Sequence, residues 1–138
     1  MNAQLEERHV TEILTEAQLE EFASRAARYD QENSFFSEDF EVLWSSGYLV
    51  QAVPEELGGL GLTYAEVMQQ QRRLGYYAPA DALAVNMHLY WTGLAADLWR
   101  GGDHSLEWLL REACDGEVFA AGHAESGNDL PVVRSTTR

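Results

Sequence analysis

The chain has 138 residues, 46% of them hydrophobic, and a formal net charge of −14 from 23 acids against 9 bases. Length and composition suffice for one domain with a buried core, and the charge repels phosphate backbones and anionic lipid surfaces, which argues against nucleic-acid and membrane partners. All nine bases are arginines, so a P-loop lysine, a Schiff base and a lysine general base are ruled out.

The first thirty residues carry six acids by position 21 and no apolar h-region, unlike a signal or transit peptide. Thr15 with Gln18 makes a capping box, and Leu14 and Leu19 stand as a hydrophobic staple. Leu19, Phe22, Ala23 and Ala26 then recur at helical spacing, which predicts a first helix ending near Glu32. Ser37, Glu38 and Asp39 open a shorter second helix in which Phe40, Leu43 and Trp44 share a face, and Gly47 is placed to end it. "GYLVQAVPEELGGLGL" has no helical period and reads as a long structured loop. Its "LGGLGL" fails the dinucleotide-binding template, because Tyr64 stands where the third glycine belongs.

Thr63 and Glu66 repeat the capping box, with Leu62 and Val67 as staple. The third helix should carry Tyr64, Val67, Met68 and Leu74 to the core and end near Gly75. A fourth helix, from about Asp81 to Arg100, is apolar nearly all round and should be central. Asn86, His88, Thr92 and Asp97 interrupt its apolar run, which marks a buried helix of a globular domain rather than a membrane span. A fifth, from about Ser105 to Cys114, should bury Leu106, Leu109, Leu110 and Ala113 and close at Gly116. "EVFAAGH" (117–123) then reads as a strand.

Cys114, the single cysteine, excludes a disulfide framework, fits a reducing, cytoplasmic compartment and reads as an apolar filler. The four histidines show no metal-ligand spacing, so no metal is expected. Five antiparallel helices followed by one unpaired strand leave that strand's backbone groups unsatisfied. The expectation is an N-terminal part of a longer protein, trimmed by a trypsin-like protease after Arg138. "GHAESGND" (122–129) reads either as a polar turn leaving the strand or as a turn holding an anionic or planar cofactor.

The order "VPEELGGLGLTYAEV", a long apolar helix ending "LWRGGD", then "LEWLLREACDGEVFAAGHAESGND" resembles the N-terminal half of acyl-CoA dehydrogenases over roughly residues 35–138. The resemblance implies an all-α, five-helix N-terminal domain over 1–116 and the opening strand of a middle β-domain over 117–138. It implies FAD as cofactor, an acyl-CoA substrate, and a homo-oligomer of the full-length protein. The implied reaction is α,β-desaturation, a glutamate in a C-terminal part taking the α-proton while the β-hydride passes to flavin; no catalytic residue is assigned to this chain.

Carried over by position, the resemblance makes Phe119, Ala121, Gly122, Gly127 and Asn128 cofactor contacts, with Asn128 also able to reach substrate. Gly122 replaces the family's threonine, His123 its glutamate, Ala124 its proline and Asn128 its serine, so a flavin contact at Gly122 comes only from backbone. The stretch from about Asn86 to Gly93 corresponds to a wall of the family's acyl pocket and makes His88, Tyr90 and Trp91 substrate-contact candidates. Pointing inward, these bulky rings would favour a short, cyclic or aromatic acyl group; pointing away, Tyr90 and Trp91 would be domain packing. Two other readings remain open, a flavin-dependent monooxygenase of the same fold and a non-catalytic helical binding module.

Overall fold

The computed structural model describes residues 12–121, and within them the chain is helical. Helix α1 spans Glu16–Glu32, capped as expected by the reciprocal Thr15–Gln18 box, and Asn33 ends it in the left-handed region at φ 47°. Helix α2 spans Ser37–Ser45, and the chain turns at Gly47 with φ 78°. Helix α3 covers Tyr64–Tyr77 behind the Thr63–Glu66 capping box, and α4 covers Pro79–Arg100. Helix α4 starts two residues before the expected Asp81 because proline at the first helical position is pre-set for the helix. Helix α5 spans Glu107–Asp115, and Gly116 closes it at φ 108°.

The loop between α2 and α3 contains two 3₁₀ turns, Tyr48–Val50 and Glu55–Leu57, and then folds back on itself. The amides of Leu60, Gly61 and Leu62 donate to the carbonyls of Val50, Val53 and Gln51 at 3.2, 2.8 and 2.8 Å. This return brings Gly59 against the Val53 and Val50 carbonyls, where a Cβ could not be accommodated. The glycines of "LGGLGL" thus serve a backbone hook that seats the entry to α3.

Two core clusters share α4. Its first half, through Ala82, Val85 and Leu89, packs with Phe22, Leu43, Tyr48 and Leu74; its second half, through Ala95 and Ala96, packs with Val53, Leu109, Leu110 and Ala113. Burying each large side chain contributes about 1.5–3 kcal/mol, so α4 is the central helix its composition implied. It is not buried all round, however: Leu83, Tyr90 and Leu94 face outward.

Helix α3 corrects the expected core in the same way. Val67, Gln70 and Leu74 are buried, whereas Tyr64 is 70% exposed and Met68 is also exposed. Their helical spacing is genuine, but they border a groove instead of the core. In α2, Trp44 leaves the Leu43 face and lies against Gly116. The described part of the expected strand, 117–121, has no ladder, because no other strand exists among the described residues to pair with it.

A buried polar link joins three helices. Asp39 of α2 is fully buried, and its Oδ1 accepts from Arg25 Nε of α1 at 2.6 Å. Asp81 of α4 is 4% exposed, and burial first, then the neighbouring Asp39 carboxyl, push its pKa up to about 7. The proton retained by Asp81 is therefore what lets two carboxyl groups share one interior site.

Candidate functional site

A groove of about 340 Å³ lies between α3 and α4. Buried Ala52, Val67 and Leu89 form its floor; Tyr64 and Met68 make one rim, and Tyr90 and Leu94 the other. Along α4 it runs from Asn86 past Gly93 to Asp97 and Arg100. Fourteen steps of 1.5 Å each make that about 21 Å of helix.

The ends are polar and held. Gln71 Nε2 donates to Asn86 Oδ1 at 3.3 Å, while Gln71 Oε1 accepts from the Tyr48 hydroxyl at 2.8 Å. At the other end, Arg100 Nη2 donates to the carbonyls of Ala52 at 3.1 Å and Leu62 at 3.3 Å, and its Nη1 lies 3.6 Å from Asp97 Oδ1. The guanidinium is thus tied through Nη2 to the protein backbone and faces the Asp97 carboxylate. An apolar slot with neutralised ends suits an uncharged, elongated group.

The three substrate candidates part company here. Tyr90 stands on the groove rim, 57% exposed. His88, 1% exposed, points behind the groove: one ring nitrogen, Nε2, lies 2.9 Å from the Leu49 carbonyl, and the other, Nδ1, accepts from the Phe119 amide at 3.1 Å. That pair of bonds fixes the neutral tautomer with its proton on Nε2, and burial lowers the His88 pKa in the same sense. Trp91 packs into the second core cluster, with its indole nitrogen buried.

Phe119 is half-buried, its ring stacked on His88 and edge-on to Trp108 at 6.1 Å. With its amide given to His88, Phe119 anchors the segment after α5, and Ala121 beside it offers only backbone polar groups. Phe119 and Ala121 do not by themselves make a flavin cradle. Gly122, Gly127 and Asn128 lie outside the described residues.

Cys114 is partly buried, and burial raises its thiol pKa, which matches an unreactive filler. Among the described residues no three His, Cys, Asp or Glu side chains converge on a metal-sized site, and no helix is long and apolar enough to cross a membrane. Sequence reasoning bounded the pocket wall at Asn86 and Gly93 but missed Tyr64, Met68 and Leu94 as groove residues. The available signal was the 86, 90, 93, 97 spacing on one stripe of an otherwise apolar helix.

The family model described as "Acyl-CoA dehydrogenase, N-terminal domain" matches residues 5–117. The chain belongs to that family. The five α-helices among the described residues have the all-α character expected of such a domain. No curated protein and no solved structure matches this chain.

Proposed function

We propose that this chain supplies the acyl-pocket wall of an FAD-dependent acyl-CoA dehydrogenase-like oxidoreductase, whose full-length form desaturates an acyl-CoA thioester between its α and β carbons. One observation carries the reading. The stretch Asn86–Gly93, which the family resemblance puts beside the acyl chain, borders an open apolar groove through Asn86, Leu89, Tyr90 and Gly93. This chain's residues bind and orient: the groove holds the hydrocarbon and excludes water from it, and the tethered Asn86 and Arg100 define the ends.

The helical unit closes at Gly116, and residues 117–138 lead into a β-domain. There Gly122, Gly127 and Asn128 meet FAD, which when bound accepts the hydride. The proton-abstracting carboxylate belongs to another part of the protein, and the full-length protein is a homo-oligomer. The His88 tether on Phe119 supports this reading, because it anchors the chain just before those residues.

The test is anaerobic absorbance spectroscopy of the full-length protein. A flavin spectrum that bleaches on adding an acyl-CoA, with formation of the 2,3-enoyl thioester, supports the reading. Bleaching that requires an external reductant indicates monooxygenase chemistry instead. A protein that neither carries nor takes up flavin overturns the assignment in favour of a binding module.

A further inference from the structure

Gly93 sits near the middle of the 22-residue helix α4, where glycine costs roughly 0.5–1 kcal/mol relative to alanine. Two structural reasons for glycine are absent. Its φ is not positive, so no left-handed turn requires it. No heavy atom lies within 4 Å of where its Cβ would stand, so no close helix contact requires it. Gly75 of α3 differs in this respect, since a Cβ there would meet Ala82 at 3.8 Å. What the missing side chain at 93 does leave is open space in the groove, between Tyr90 and Leu94 and across from Met68.

We propose that Gly93 is the specificity-determining position of this groove, and that the space above it admits an extended acyl chain of medium length. The inference rests on the acyl-binding reading above. Gly93 divides the lining stretch of α4 in half, seven residues or about 10 Å from Asn86 and as far from Arg100. A side chain at 93 would close one half of the groove and leave room for a short acyl group only. In the far half, Arg100 Nη2 is held by two carbonyls and Asp97 lies 3.6 Å from Nη1, so the positive charge there already faces a carboxylate. The apolar lining from Leu62, Met68, Leu89 and Leu94 fits a hydrocarbon occupant. His88 and Trp91, which would have crowded a long chain, point elsewhere.

The experiment measures binding of butyryl-CoA and octanoyl-CoA to the full-length protein by isothermal titration calorimetry, for the wild type, Gly93→Ala and Gly93→Leu. The wild type should bind octanoyl-CoA more tightly. Gly93→Leu should weaken octanoyl-CoA by at least about tenfold while leaving butyryl-CoA within about threefold, the four extra methylenes having lost their burial. Gly93→Ala should fall between. Thermal unfolding serves as control, since leucine at an uncrowded helical position should not lower Tm. Equal octanoyl-CoA affinity in wild type and Gly93→Leu, or equal weakening of both thioesters, overturns this inference while the acyl-binding reading stands. No binding of either thioester to the wild type overturns both.

Discussion

His88 and Phe119 lie face to face, their ring centroids 5.9 Å apart at an interplanar angle of 6°, while the Phe119 amide donates to His88 Nδ1 at 3.1 Å. One imidazole thereby fastens the loop at Leu49, the central helix and the segment after α5 together. Burial opposes protonation, as does the Phe119 amide that occupies Nδ1, while the Leu49 carbonyl offsets part of this.

Replacing His88 by leucine leaves the Leu49 carbonyl and the Phe119 amide unpaired, at an expected cost of about 3 kcal/mol. Urea titration measures it. Because the folded-state pKa of His88 lies below the usual value, the unfolded chain takes up its proton first as pH falls below about 6.5. The stability tied to this residue is present above that pH and lost as acid drives protonation. His88→Leu should abolish that acid-side component.

Asp81 works in the opposite direction. Its folded pKa, raised from 3.8 to about 7, means that the native state keeps a proton the unfolded chain has released. Stability from this group is full below about pH 4 and falls as pH rises through 7. Asp81→Asn, which needs no proton to stay neutral beside Asp39, should flatten the decline in unfolding free energy between pH 5 and pH 8. A decline that persists unchanged in the variant contradicts the shared-proton link.

Three glycines should respond differently to alanine. Gly59→Ala drives a methyl into the Val53 carbonyl, and Gly116→Ala meets the Trp44 ring at 2.5 Å with φ at 108°; each should cost at least about 2 kcal/mol. Gly93→Ala should stabilise by roughly 0.5–1 kcal/mol. Thermal melts of the three variants read this ordering directly.

The capping boxes are the most local elements of the fold. Thr15→Ala and Thr63→Ala should each cost about 1 kcal/mol, because each hydroxyl accepts the amide three residues on, Gln18 and Glu66 respectively. Chemical denaturation of the two single variants and the double, which should be additive at this separation, provides the check.

Features set within a few residues of chain were legible: both boxes, the left-handed stop at Gly116 and the extent of α1. Helical periodicity also identified the apolar stripe containing Tyr64 and Met68, but periodicity does not say whether a stripe faces a core or an open groove. That depends on how far α3 stands from α4. Asp39 and Asp81 looked like ordinary acids at helix starts, and only the packing of α1, α2 and α4 makes them a buried pair. For the site, the acyl-wall stretch was found by family resemblance, and the structure sorted its residues: Tyr90 to the groove, His88 and Trp91 to the interior. A turn of about 100° per residue puts neighbours on different faces, so one helix stretch never contributes all of its residues to one pocket.

The central claim, that an acyl chain lies along α4, is tested most directly by photo-crosslinking. The full-length protein is irradiated with a CoA thioester carrying a diazirine at the end of a medium-length acyl tail, and the labelled residues are mapped by mass spectrometry. Label should concentrate within 62–68 and 86–97, and excess unlabelled octanoyl-CoA should suppress it. Label confined to other surfaces, such as the exposed aromatic stretch from Phe35 to Trp44, would contradict the claim.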